Sequence, residues 1–348
     1  MRSHIVMFAL FAVLAGLLSQ SLSAAGNQGT DESRARVVSI LVPADPDTYP
    51  LYSSVVASVE TVTNSLPDYE TTVSVYTGED PDALAEAARA EGVELVVAAG
   101  SPLNAPAAQA ASQYPEVAFL MIDGAIPDAE NAANLLINRR EQAYLAGFIA
   151  GMRLSDLLED DEPGRAGLLF GSGLLMGENV VQPAYRLGVR AARTHNDIMV
   201  RRHGRDISED ELERSFAALQ RENVPVIVPF HYHNVSKIAG AAGERGFDII
   251  RLDNPDPDTA SNQTLAAIAV DIEETVSQMV RDILEDGPQE VGTVRADFRS
   301  GALFLEDDFS RFEDALSESS REAIAHMSER LASGELTLPF EGIYVPVD

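Results

Sequence analysis

The chain contains no cysteine. That excludes disulfides, thiol nucleophiles and cysteine-bound zinc or iron–sulfur sites. It also excludes a lipid-modified amino-terminal cysteine. Leu22-Ser23-Ala24 starts like a lipoprotein signal, but Ala25 stands where the cysteine would be. Lysine is almost missing too: Lys237 is the only one among 25 basic residues, set against 55 acidic ones. The formal charge of −30 repels polyanions and anionic membrane surfaces, so no nucleic-acid partner is expected. Arginine keeps its charge where lysine loses it, which points to salty or alkaline surroundings. Solubility unchanged between low and molar salt would count against the salty version.

Catalytic signatures are also missing. There is no Gly-x-Ser-x-Gly, His-Glu-x-x-His or Ser-x-x-Lys. Carboxylate pairs that meet only in three dimensions stay open. The acidic run Glu159-Asp160-Asp161-Glu162 precedes Pro163-Gly164 and reads as solvated surface. No enzyme activity and no cofactor are expected.

What is present starts at the amino terminus. Met1–His4 carries Arg2, Ile5–Leu18 is uncharged and apolar, and Ser23-Ala24-Ala25 supplies small residues for cleavage. Residues 1–25 therefore read as a secretory signal, because an apolar run this short falls below the roughly 20 residues of a spanning helix. An uncleaved anchor is the other reading. Residues 26–35 form a polar, flexible leader. The expected location is periplasmic or otherwise extracytoplasmic.

Of the whole 348-residue chain 45% is hydrophobic, enough for two lobes with real cores. Short apolar runs alternate with helical spacing. Strands are expected at Val37–Val42, Thr71–Tyr76, Leu95–Ala99, Ala118–Ile122 and Leu135–Ile137, with helices between and after them, including Glu141–Leu157. The cycle repeats with strands at Ala166–Phe170, Ile198–Arg202, Pro225–Pro229 and Asp248–Leu252. Leu265–Val270 and Val291–Phe298 read as further strands, and Arg311–Ala332 as one long helix. Continuous apolar strands flanked by helices mean parallel sheets covered on both faces, in α/β architecture. Two series of four or five units suit two doubly wound lobes better than one wide sheet.

Ligands of open parallel sheets bind at the carboxyl ends of the strands. Asp123 and Asp253 each end an apolar strand, and either serves a ligand's hydroxyls or amines or simply caps a turn. Gly100 and Ser101 follow another strand. Asp45 and Tyr52 flank the first strand–helix loop, where an aromatic ring can stack on a flat ligand or pack on the core. Gly171-Ser172-Gly173 to Gly177 is a glycine-rich turn. It is not a phosphate loop, since no Lys-Ser/Thr follows, and Met176 stands where a dinucleotide fingerprint needs glycine. His231-Tyr232-His233 puts two imidazoles on one face, but no third ligand is in view, so no metal is expected.

Four stretches resemble the basic membrane protein family, the purine-nucleoside-binding proteins of ABC importers. They are Val96–Gly100 through Tyr114-Pro115 to Ile122-Asp123; Asn134 through Glu141-Gln142-Ala143-Tyr144-Leu145-Ala146-Gly147-Phe148-Ile149-Ala150-Gly151; Ala166-Gly167 through Gln182–Ala192; and Leu331–Pro339. The second, similar to the family's "YLAG..AG" helix, is the most specific. The resemblance implies a type I periplasmic-binding-protein fold with three hinge segments and a ligand between the lobes, with Asp123 and Asp253 lining the cleft. The departures concern the ligand. Leu51-Tyr52 replaces the family's early Phe-Asn, Phe230–His233 replaces a glycine-rich loop, Pro255 replaces a second aspartate, and a late serine–lysine pair is missing.

The resulting expectation is a non-catalytic receptor of two lobes: 36–138 plus 254–285, and 139–253 plus 286–348. It would close on a small polar ligand, with a nucleoside-like one in range. The expected site is Asp45, Tyr52, Gly100, Ser101, Asp123, Met176, His231 and Asp253. The expected partner is an ABC permease/ATPase complex, and the protein itself is expected to be a monomer. A sensory module that drives a membrane receptor through the same cleft is the alternative.

Overall fold

The structure, a computed structural model, describes residues 36–43, 50–76, 82–159, 162–171, 177–204, 207–230, 235–252 and 262–338. The first half runs β1 (Arg36–Val42), α1 (Pro50–Thr63), β2 (Tyr69–Val75), α2 (Ala83–Arg89), β3 (Val93–Ala99), α3 (Asn104–Gln113), β4 (Ala118–Ile122) and β5 (Ala132–Ile137). The long helix α4 (Arg139–Leu157) leads into β6 (Arg165–Gly171), α5 (Gln182–Ala192), β7 (Asp197–His203), α6 (Glu209–Arg221), β8 (Val226–Phe230), α7 (Val235–Gly243), β9 (Asp248–Arg251) and β10 (Thr264–Val270). The chain continues through α8 (Glu273–Asp286), α9 (Pro288–Val291), β11 (Thr293–Ala296), β12 (Leu303–Glu306), α10 (Ser310–Ala315) and α11 (Glu318–Ala332).

These strands make two sheets of six, in the orders β11-β5-β4-β3-β1-β2 and β12-β10-β9-β8-β6-β7. The second repeats the first position for position. The pairings are parallel except β10 with β12. The central strands are largely apolar because helices cover both faces, with buried Ser39 in β1 and Asn134 in β5 among the exceptions. β10 is buried along its whole length and β3 over its last five residues. β2, at an edge, is mostly exposed. In the first lobe α2 and α3 pack on one face and α1 with α8 on the other. In the second lobe α6 and α7 pack on one face, and α4, α5 and α11 on the other.

Sheet pairing corrects the expected lobe boundaries. β10 lies in the second sheet beside β9, and β11 lies in the first beside β5. Among the described residues, the first lobe thus takes those within 36–138 and 273–296, and the second those within 139–252, 262–270 and 303–338. An apolar run such as Leu265–Val270 suits either sheet, so periodicity does not assign it. The expected single helix Arg311–Ala332 is two helices. Ser317 caps the second by accepting a hydrogen bond from Ser320 N, and its own N–H and hydroxyl go to Asp156.

The glycines of the helix that carries the resemblance have a packing role. A Cβ on Gly147 would lie 2.1 Å from Tyr185 O, and one on Gly188 would lie 2.0 Å from Tyr144 O. A Cβ on Gly151 would lie 2.7 Å from Val189 O. α4 and α5 therefore touch backbone to backbone, a distance only glycine permits.

Candidate functional site: the strand tips and the lobe crossings

The strand order of the first sheet reverses at β1, with β2 on one side and β3 on the other. Such a switch point opens a crevice at the carboxyl ends. Gly100 follows β3, and its φ of 96° is natural for glycine alone. Its N–H donates to Ile122 O at 2.7 Å, which locks the tips of β3 and β4 together. A Cβ here would sit 2.8 Å from the Tyr52 hydroxyl, so α1 brings Tyr52 against the tip of β3. Tyr52 itself is buried. Ser101 opens the short turn that leads into α3, and its Oγ is buried with no hydrogen-bond partner among the described residues. The structure therefore brings Tyr52, Gly100 and Ser101 to one place.

Asp123 ends β4 in the left-handed region, with φ of 52°, a conformation that aspartate tolerates better than most residues. Its N–H extends the sheet to Leu135 O at 2.9 Å. Gly124 beside it leaves room for Asn104, whose Oδ1 accepts from Ala125 N. The Asp123 carboxylate is engaged. Arg139 Nη2 lies 2.7 Å from Oδ2 and Nε 3.3 Å from Oδ1, and both side chains are buried. Asp123 is thus a turn aspartate held in a bidentate ion pair rather than an unopposed ligand acceptor.

The pair continues into the second lobe. Arg139 Nη1 donates to Gln142 Oε1 at 2.8 Å. Gln142 Nε2 donates to Leu252 O at 3.1 Å and to Ile268 O at 2.7 Å. Gln142 is fully buried. One unbroken polar chain therefore runs from the tip of β4 to the tip of β9, strands that hold the same place in the two sheets. The two rims face each other across it.

Beside that chain the polypeptide crosses between the lobes three times, at Asn138, at 271–272 and at 297–302. The crossings are bonded to one another or to adjoining elements. Asn138 N donates to Ala296 O (2.8 Å), Asp271 N to Ala302 O (2.8 Å) and Phe298 N to Glu141 Oε2 (3.1 Å). Burial pushes the Glu141 carboxyl up to about 7; Asp297 adds to the rise and the Phe298 amide works against it.

Of the sequence-based candidates, Asp45, Met176, His231 and Asp253 lie outside the described residues. Arg139 and Gln142 were missed as candidates. The available signal was an acid and a base at the tips of neighbouring strands. Among the described residues, no group of three or more His, Asp or Glu is placed to hold a metal ion. A broad concavity of about 990 Å³ opens at the opposite, amino ends of the first-lobe strands, lined by Glu94, Glu116 and Asp128 among others. It has no share in the crevice between the rims.

This is the architecture of two-lobed binding proteins of the periplasmic type. The model of the family described as ABC transporter substrate-binding protein PnrA-like matches residues 35–335, and the chain belongs to that family. Among solved structures, it is similar to an ABC transporter solute-binding protein from Aeropyrum pernix K1. The TM-score is 0.71 at 16% identity, over 87% of this chain and 92% of that one. A second solute-binding protein, from Conexibacter woesei DSM 14684, matches with a TM-score of 0.62 at 20% identity, over 88% and 99%. A transcriptional activator of the comK gene from Bacillus halodurans matches with a TM-score of 0.61 at 19% identity, over 86% and 98%. At these identities the structural likeness speaks for the fold alone.

Proposed function

We propose that the chain is the extracytoplasmic receptor of an ABC importer and that it holds a small polar ligand between its lobes. The observation that carries the ligand site is the Ser101 hydroxyl, buried and without a partner among the described residues beside Tyr52 and Gly100. A buried hydroxyl left unpaired costs about 1–3 kcal/mol, which a ligand's polar group would recover. Asp123 reaches the ligand as one half of its pair with Arg139, so the first-lobe rim offers a neutralised acid–base pair, a hydroxyl and a phenol. Asp45, Met176, His231 and Asp253, which follow β1, β6, β8 and β9 in the sequence, are the further residues proposed for the site. Residues 1–25 act as the export signal. A nucleoside is one candidate ligand, although the departures at Leu51-Tyr52 and Pro255 argue against the family's usual contacts.

Thermal-shift screening against nucleosides, sugars and amino acids tests this. A ligand at 100 times its Kd stabilises by about 2.7 kcal/mol, which raises Tm by several degrees. One chemical class should do so, and Ser101→Ala should weaken the shift. No stabilisation by any of the three classes would count against the reading.

A further inference from the structure

Glu141 occupies the third position of α4, whose cap is Asn138. In a reciprocal capping box, a glutamate there bonds back to the N–H of the cap itself. Here Asn138 N–H is already given to Ala296 O, and the Glu141 carboxylate reaches instead to Phe298 N, on another crossing. One buried side chain, 7% exposed, thereby ties the first crossing to the third. Asn138 Oδ1 accepts from Glu141 N at 3.1 Å, while its buried Nδ2 has no partner among the described residues. The joint is thus tight but incompletely satisfied.

The charges around Glu141 do not hold it ionised. On its own helix Arg139 is spent on Asp123, and Arg140 does not offset the burial. On the third crossing Asp297 is a like charge, and Arg299 lies over Gly334. Arg295 on β11 gives no offset either, and Arg330 on α11 pairs with Glu335.

We propose that Glu141 is a proton-operated latch on the hinge. Protonated, it favours the stitched crossings seen here; ionised, it favours arrangements in which the first and third crossings part and water reaches the carboxylate. The sign follows from linkage. A conformation that raises a carboxyl's pKa is the one that proton binding stabilises. With the folded value at about 7, stitching is favoured on the acid side and weakens as pH rises through neutrality. The proposal does not depend on which ligand fills the cleft.

The lack of native cysteine allows a clean test. Ser112→Cys on α3 and Ala217→Cys on α6 carry a donor and acceptor dye, one per lobe. Transfer efficiency is followed from about pH 5 to about pH 8, the span over which a carboxyl perturbed upward gives up its proton. It should change with pH in the otherwise unaltered chain. It should stay at its acid-side value in Glu141→Gln, which keeps an acceptor for Phe298 N–H but cannot ionise. Asp297→Asn, which still accepts the Ser300 N–H, should move the transition to lower pH by removing the like charge. An invariant efficiency in the unaltered chain would overturn the proposal. So would the same transition in Glu141→Gln or, if that variant fails to fold, an unmoved transition in Asp297→Asn. A failed ligand screen would leave this result untouched.

Discussion

At the scale of single residues, the buried Asp123–Arg139 pair is the most exacting feature of the rim. Two charges out of water are tolerated because they meet in bidentate geometry and the guanidinium has Gln142 as a third partner. Removing one partner strands the other. Arg139→Met should cost about 3–5 kcal/mol in urea unfolding, and a double variant that also carries Asp123→Asn, which keeps a residue suited to the left-handed φ, should cost less than the single one. Equal or additive losses would show that the pair is not coupled. Glu141 gives a second residue-scale prediction, this time of stability. Its raised folded value means that its contribution is full below the ordinary carboxylate range and is lost as pH climbs through about 7. Glu141→Gln should therefore raise Tm at pH 8 and leave it unchanged at pH 4. Thermal unfolding at both pH values checks this.

At the scale of elements, the crossing of α4 over α5 governs how the second lobe is built. Gly147→Ala and Gly188→Ala would each push a methyl into a backbone carbonyl. Each should destabilise by about 1–3 kcal/mol or more. Gly240 in α7 has nothing within 4 Å of where its Cβ would be, so Gly240→Ala should stabilise by about 0.5–1 kcal/mol. Chemical denaturation of the three variants separates the two cases, and similar losses in all would refute the packing account. This contrast also shows what was readable in the sequence. Buried parallel strands are continuous apolar runs, so Leu95–Ala99 and Ala118–Ile122 are visible by eye, and β3 and β4 lie there. The lobe that takes β10 or β11 is decided by hydrogen bonds to strands read from elsewhere in the chain, which no local pattern encodes. The strand tips at Gly100, Ser101 and Asp123 were legible because turn chemistry is local. The partnership of Asp123 with Arg139 was legible only as an acid and a base after successive strands, because the pair itself exists only once β4 and β5 lie side by side. The joint at Glu141 is equally hidden, since its partner amide is 157 positions away.

At the scale of the whole molecule, two sheets of identical strand order meet rim to rim, with three crossings beside the join. That arrangement lets the lobes move as bodies while the crossings absorb the change in backbone angles. The polar chain through Gln142 anchors the Asp123–Arg139 pair, which joins the lobes, to the second lobe, since its Nε2 bonds second-lobe carbonyls while its Oε1 is held by Arg139. Gln142→Leu removes that anchor and leaves Leu252 O and Ile268 O without their donor. It should widen the distribution of inter-lobe distances as well as lower Tm. A lower Tm with an unchanged distribution would make Gln142 a core residue only.

The claim that the lobes close on a small polar molecule is tested most directly by pulsed electron spin resonance on the Ser112→Cys, Ala217→Cys protein. The distance between one spin label on each lobe is measured with and without the compound that gives the largest thermal shift. Saturation should give a shorter, narrower distance, and Ser101→Ala should show a smaller change at the same compound concentration. A distance that stays the same while the compound is fully bound would contradict the claim.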